Sequence, residues 1–147
     1  HSNIQEQIQM MVVKELLTEE ESKTINIYKI EGLLKSKLGK RMLKADKIYK
    51  ETAFNIKKKA KDVIEGLEDC DEELLVQGII DCYFEEDGKW VLVDYKSDYV
   101  PKNDVSIIIK KYEIQLQLYK EALEKITGKD VKESYLYLLD IDTAVKL

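Results

Sequence analysis

The stretch from residue 74 to residue 96 constrains this chain most. LLVQGIIDCYF (74–84) is rich in β-formers, EEDG (85–88) is a turn sequence, and KWVLVDYK (89–96) is β-rich again. Gly88 stands where the turn needs a residue tolerant of positive φ. Two such runs about such a turn make a β-hairpin. Around the hairpin the apolar spacing changes to about 3.6 residues, the period of a helix. A chain with both periods has to pack helices on a sheet.

Upstream, Ser2 and Gln5 have capping-box spacing, and Ile4, Ile8, Met11, Val12 and Leu16 follow as one helical stripe. Thr18 and Glu21 repeat the box before Ile27, Ile30, Leu34 and Leu38, with Glu19, Glu20 and Glu21 suited to the positive end of a helix dipole. Gly39 is expected to interrupt this helix, with a further helical stretch to about residue 47. Residues 48–56 alternate as a strand. Residues 57–73 are polar and read as a strand end or a loop. Pro101 and Asn103 mark a break before a long helix over 105–127, with Gly128 as its C-cap. Tyr112, Gln115, Leu116, Tyr119, Ala122, Leu123 and Ile126 share one face of it. ESYLYLL (133–139) reads as a strand, and residues 144–147 as a last short one. The order of helices, strand, hairpin, helix and strands predicts an α/β fold, a mixed central β-sheet flanked by helices.

The length of 147 residues suits one domain, with 1–47 as a helical support region and 48–147 as the α/β core. A hydrophobic share of 44% supplies a core, and Pro 1 with Gly 6 excludes collagen-like and low-complexity sequence. No apolar run approaches the ~20 residues that span a bilayer, and HSNIQEQIQM, with no charged segment leading into an apolar one, gives no expectation of a signal peptide. Cys70 and Cys82 cannot build a disulfide framework or a four-cysteine metal site, which fits a reducing cytoplasm. The net charge of −5 speaks against a simple nucleic-acid-binding surface, but its distribution is uneven. Residues 29–61 carry +9 and residues 62–104 carry −11. The blocks read either as solvated faces or as a phosphate-attracting surface beside a cation-binding cluster.

The chemistry-bearing residues lie on the hairpin. Residues i and i+2 of a strand share a face, so Asp94 and Lys96 point one way and Tyr95 the other, with the Tyr95 carbonyl near the Asp94 side. Asp81 lies across from Asp94 if the register permits. Two carboxylates and a carbonyl oxygen would then form a site for a hard cation such as Mg²⁺. Acids among Ile79, Ile80, Val91, Leu92 and Val93 cost free energy unless paired or metal-bound. The rival reading is a wet sheet face carrying an Asp94–Lys96 surface pair worth ~0–1 kcal/mol. Glu51 on the preceding strand either aims at the same site or is a surface residue. Gln115 and Tyr119, one turn apart, either reach the site or belong to an ordinary amphipathic helix.

The ordered set GIID (78–81), DYKSD (94–98) and YEIQLQLYKEAL (112–123) resembles the RecB-like branch of the PD-(D/E)xK nucleases. LTEEE (17–21), KLGKRML (37–43), KETAF (50–54) and SYLYLLD (134–140) extend the likeness to AddA-type helicase–nuclease subunits over nearly the whole chain. The resemblance implies a restriction-endonuclease-like core and a Mg²⁺-dependent deoxyribonuclease of the exonuclease kind, with Mn²⁺ as a substitute ion. Asp81, Asp94 and the Tyr95 carbonyl would be the metal ligands and Lys96 the catalytic lysine. Gln115 and Tyr119 match the family's QxxxY helix motif, and Glu51 its acidic position. Lys57, Lys58, Lys59 and Lys61 would guide DNA inward. The family often adds a histidine from an earlier helix, and the only histidine here is His1, at the head of the chain. Relatives with an iron–sulfur cluster use four cysteines, so no such cluster is expected. The implied partners are single-stranded DNA, the helicase region of a longer parent chain and an AddB-like subunit. The implied setting is DNA repair and recombination. The alternatives are a catalytically weak DNA-binding or docking module and an acidic protein-interaction domain.

Overall fold

The computed structural model describes residues 32–147, so the helix expected over 2–16 and most of the one following it lie outside the described residues. Residues 32–35 are helical, the chain bends at Ser36, and helix α1 (Lys37–Lys44) follows. The break therefore falls at Ser36 and not at Gly39. The Ser36 hydroxyl donates to the Leu33 carbonyl at 2.6 Å and accepts from the Gly39 N–H at 2.9 Å, capping α1. Gly39 lies inside α1 because a Cβ there would collide with the Leu33 backbone carbonyl. It is a point of close approach, and α1 ends at Lys44, short of residue 47.

The remaining elements are β1 (Ile48–Lys59), a single turn α2 (Ala60–Val63), β2 (Glu73–Glu86), β3 (Lys89–Lys96), a 3-10 turn (Pro101–Asn103), α3 (Val105–Thr127), β4 (Val131–Leu138) and β5 (Thr143–Lys146). The hairpin forms as expected, with a tighter turn. Glu86 pairs with Lys89, leaving Asp87 (φ 54) and Gly88 (φ 76) as a two-residue loop. Positive φ at both positions matches the strand twist. Asp104 caps the start of α3 through the Ser106 N–H at 3.0 Å, and Gly128 (φ 70) ends it in the left-handed region.

The five strands form one mixed sheet in the order β1-β2-β3-β4-β5. All neighbours pair antiparallel except β3 and β4, which are parallel. Parallel neighbours need a long crossover, and α3 is that crossover. One core, holding Leu38, Met42, Ile48, Cys82, Phe84, Val91, Val93 and Tyr137, lies between the sheet and the helical segment around α1. The other, holding Phe54, Ile80, Leu92, Leu116, Tyr119, Ala122 and Leu123, lies between the sheet and α3. Ile126, expected on the buried stripe of α3, is 56% exposed, while its neighbour Thr127 is the residue that meets the sheet, accepting from Trp90 Nε1 at 2.8 Å. No helix of the described residues is long and apolar enough to cross a membrane.

Arg41, the sequence's one arginine, ties α1 to the sheet. Its guanidinium donates to both Glu86 carboxylate oxygens at 2.9 and 2.8 Å, and to Glu133 at 2.9 Å and the Tyr135 hydroxyl at 3.1 Å. Arg41 and Lys132 hold the Glu86 carboxyl at about 2, well below the usual carboxylate range.

The close approach at Gly39 makes a prediction of unusual sign. In an unobstructed helix Gly→Ala stabilises by about 1 kcal/mol. Gly39→Ala should instead destabilise by about 1–3 kcal/mol, as overpacking does, read from the shift in the urea midpoint.

Candidate active site

Two strands and one helix build the site, and an interruption in the sheet opens it. The β2–β3 ladder runs up to Cys82↔Val93 and stops. Asp81 and Asp94 face each other at the next position, where the strands part. The same position is skipped between β1 and β2, whose pairs jump from Lys50↔Cys82 to Thr52↔Ile80. There Glu51 takes φ 50, a left-handed conformation uncommon for a residue with a side chain. The strands change their buried side across this gap. Ile48, Cys82 and Phe84 belong to the α1 core, whereas Phe54, Ile56 and Ile80 belong to the α3 core, although even spacing would keep them on one face.

With the ladder broken, the Tyr95 N–H donates to the Asp81 carboxylate at 3.1 Å instead of to a strand carbonyl. The N–H and carbonyl of one strand residue point to the same edge, so the Tyr95 carbonyl also turns towards β2. The Lys96 carbonyl turns the other way and accepts from Leu139 N–H at 3.0 Å. The Tyr95 ring lies on the opposite face, edge-on to Tyr137 at 6.5 Å.

Asp94 is 1% exposed, which removes the wet-face alternative for this pair of residues. Lys96 Nζ lies 2.9 Å from Asp94 Oδ2, but off the line of a hydrogen bond, so that buried oxygen is charge-paired without accepting one. Burial first, and then the adjacent Asp81 carboxylate, push the Asp94 carboxyl up, and Lys96 offsets this in part. Lys96 also donates to Gln115 Oε1 at 2.9 Å and sits 4.1 Å from the centre of the Tyr112 ring. Tyr112 in turn donates to Asp98, whose two oxygens are both 2.9 Å from its hydroxyl.

Tyr119 is buried, one turn beyond Gln115, and its ring meets Phe54 edge-on at 5.3 Å. Burial, and then the charges of Asp94 and Asp81, raise its hydroxyl to about 12, so it is both a core residue and a neighbour of the acids. Gly78 makes this packing possible. A Cβ there would lie 2.7 Å from the Phe54 ring and 3.2 Å from the Tyr119 ring.

Asp81, Asp94, Tyr95, Lys96, Gln115 and Tyr119 are thus brought together. Glu51 stands opposite Asp81 in register, but its side chain is exposed and bonded to no described residue. The lysine run lies apart, along the far end of β1 and the start of α2. Lys58 pairs with Glu121 at 2.9 Å and Lys61 with Asp71 at 3.0 Å, while Lys57 and Lys59 are exposed. Several acids of 62–104 are paired: Asp71 with Lys61, Glu85 with Lys129, Glu86 with Arg41 and Lys132, and Asp98 with Lys111. Residues the sequence reading left without a role are Tyr112, Asp98 and Gly78. Each stands at one end of a motif quoted above, GIID, DYKSD or YEIQLQLYKEAL, and Tyr112 also lies one turn before Gln115 on the same stripe.

A buried carboxylate oxygen that accepts no hydrogen bond, next to a second carboxylate and a turned carbonyl, fits a divalent cation with oxygen ligands. Among the described residues no cluster of three or more His, Cys, Asp or Glu forms a metal site. Water and substrate oxygens would therefore complete the coordination, which suits a hard ion that keeps its waters.

Comparisons with known proteins bear on the family. Residues 3–146 match the PD-(D/E)XK nuclease superfamily. An ATP-dependent helicase/nuclease subunit from Alkaliphilus metalliredigens is 57% identical over 144 residues, covering 97% of this chain and 12% of that protein. That of Alkaliphilus oremlandii is 53% identical over 146 residues, and one from Clostridium botulinum is 47% identical over 148. The chain spans about an eighth or less of the length of these relatives, 11–12%.

The raised Asp94 carboxyl has a consequence for stability. A carboxyl held above its unfolded value adds stability below that value and loses it as pH rises through the folded one, about 7. Asp94→Asn carries no such proton. In EDTA its melting temperature should therefore gain on the wild type as pH rises from about 5 to about 8, measured by calorimetry at each pH.

Proposed function

The chain belongs to the PD-(D/E)XK nuclease superfamily, and from that premise we propose that it is the nuclease domain of a helicase–nuclease subunit, hydrolysing DNA with Mg²⁺. The observation that carries this reading is the Lys96 ammonium, held between a buried Asp94 and Gln115 beside a second carboxylate. A structural ion pair needs no second acid against it; a site for cation and phosphate does.

Asp81, Asp94 and the Tyr95 carbonyl would hold the ion, Mg²⁺ or, as a substitute, Mn²⁺. Such an ion, when bound, neutralises phosphate charge and lowers the pKa of its water. Lys96 presents a positive charge at the same place, to orient the attacking water or to stabilise the charge that develops on the phosphate. Gln115 fixes the lysine's direction by accepting one of its hydrogens. Tyr119 closes the apolar wall and limits the water around the acids, which strengthens every charge interaction there. Glu51, on the strand beside Asp81, would help hold a cation or its water when the substrate is bound.

The substrate is single-stranded DNA unwound by a helicase motor, the setting is repair and recombination in the cytoplasm, and an AddB-like subunit is the partner. The names of the relatives support the helicase link, since each is a helicase/nuclease subunit. Residues 1–147 act as one nuclease domain of that longer protein. Nothing among the described residues forms a base-reading element, so cleavage is expected to be insensitive to sequence.

Labelled single-stranded DNA at low salt, with Mg²⁺ or Mn²⁺ against EDTA, tests the reading. Cleavage should require the ion, and Asp81→Ala and Lys96→Ala should each lose at least about 100-fold in rate. Cutting that persists in EDTA, or in either variant, would sink it. Binding offers a second test. Lys57→Ala combined with Lys59→Ala should lower the slope of log affinity against log salt by roughly 1.4, near 0.7 for each single-strand phosphate no longer neutralised. Lys58→Ala and Lys61→Ala should change it less, because those lysines already face carboxylates.

A further inference from the structure

Among the described residues, three groups stand against the Lys96 ammonium. Asp94 Oδ2 and Gln115 Oε1 are each 2.9 Å away, and the centre of the Tyr112 ring is 4.1 Å away. Asp94 cannot serve the lysine fully once its charge is shared with a cation. Gln115 then supplies one hydrogen bond, which fixes a distance but leaves the ammonium free to swing about it. The face of an aromatic ring attracts a cation through its quadrupole and blocks one side of its swing.

The Tyr112 ring is itself held. Its hydroxyl donates to Asp98, and Asp98 also takes Lys111 Nζ at 2.8 Å. Lys111 approaches the same ring at 5.1 Å, but its charge is already met by Asp98, so it does not displace Lys96. Asp98 is two residues beyond Lys96, just past the end of β3, and Tyr112 is on α3. The link therefore joins the strand that carries the lysine to the helix that carries Gln115. Tyr112, Gln115 and Tyr119, at i, i+3 and i+7, form one stripe over the acids.

We propose that Tyr112 is a positioning residue for Lys96, a cation–π clamp that Asp98 locks in place and that holds the ammonium while Asp94 serves the metal. This rests on the nuclease reading of Lys96. The clamp predicts a loss in turnover, since the lysine acts in the chemical step, and little change in DNA or metal affinity.

The test compares Tyr112→Leu, Tyr112→Phe, Asp98→Ala and Lys96→Ala in Mg²⁺-dependent cleavage of single-stranded DNA. Tyr112→Leu should lower kcat about tenfold, with KM and the half-saturating Mg²⁺ concentration within about twofold and the melting temperature unchanged. Tyr112→Phe keeps the ring face and should stay within about threefold of wild type, with Asp98→Ala between the two. Full kcat in Tyr112→Leu, or a loss confined to KM, overturns the proposal. Wild-type cleavage by Lys96→Ala overturns instead the nuclease reading. The clamp is also read without activity, from ¹³C-labelled lysine. The Lys96 methylene next to the ammonium should show an upfield ring-current shift that Tyr112→Leu abolishes, and its absence from the wild type overturns the clamp whatever the kinetics.

Discussion

A carboxylate at 1% exposure is the constraint from which the rest of this structure follows. Asp94 sits at the end of a strand otherwise filled by Val91, Leu92 and Val93, each at 0% exposure. Left alone there, its charge would cost several kcal/mol, on the order of an unpaired buried ion. Lys96 meets the charge from two residues along the same strand, and Asp81 opposes it from the next. The first interaction holds the lysine in place and the second raises the carboxyl pKa. A site arranged for folding alone would keep the first and discard the second. A divalent cation, which the donor set fits, would reconcile them by taking the two repelling acids as ligands.

The fold supplies this arrangement through a break in its own hydrogen bonding. At the Glu51, Asp81 and Asp94 level the β1–β2 ladder skips one position and then resumes, whereas the β2–β3 ladder ends. The Tyr95 N–H, which a regular ladder would satisfy with a carbonyl, is satisfied by Asp81 instead. The substitution keeps a buried donor paired, as buried donors must be, and it orients the carboxylate at the same time. The left-handed Glu51 on the neighbouring strand is part of the same interruption. Local departure from regular pairing and candidate chemistry coincide, a common association for backbone in sparsely populated conformations.

The crossover α3 does two jobs because β3 and β4 are parallel. Its apolar stripe of Leu116, Tyr119, Ala122 and Leu123 covers one face of the sheet. Its first turns carry Tyr112 and Gln115 over the end of β3, where strand and site meet. Gly78 lets the helix sit close, since the Phe54 and Tyr119 rings occupy the space of its missing side chain. On the far face Arg41 anchors α1 to the hairpin end and β4 by hydrogen bonds to Glu86, Glu133 and Tyr135. The sheet is thus packed by an apolar core on each face, with the Arg41 network added on the α1 face.

Much of this was legible in the sequence, and for local reasons. The hairpin, the long helix with its Gly128 cap, the strand pair at the end and the sharing of one face by Asp94 and Lys96 all follow from periods of 2 and 3.6 residues and from turn chemistry, which act over a few positions. What lay beyond reach were contacts between distant segments. Gly39 reads as a helix breaker by propensity, yet it is a packing requirement set by a carbonyl one bend away. The lysine run reads as one basic patch, yet Glu121 and Asp71, remote in sequence, take up two of its charges. That Asp94 is buried, that the ladder ends between Cys82 and Asp81, and that Tyr112 covers Lys96 were decided only by the tertiary structure. Burial and register are properties of what packs against a strand, and a strand's own residues do not specify them.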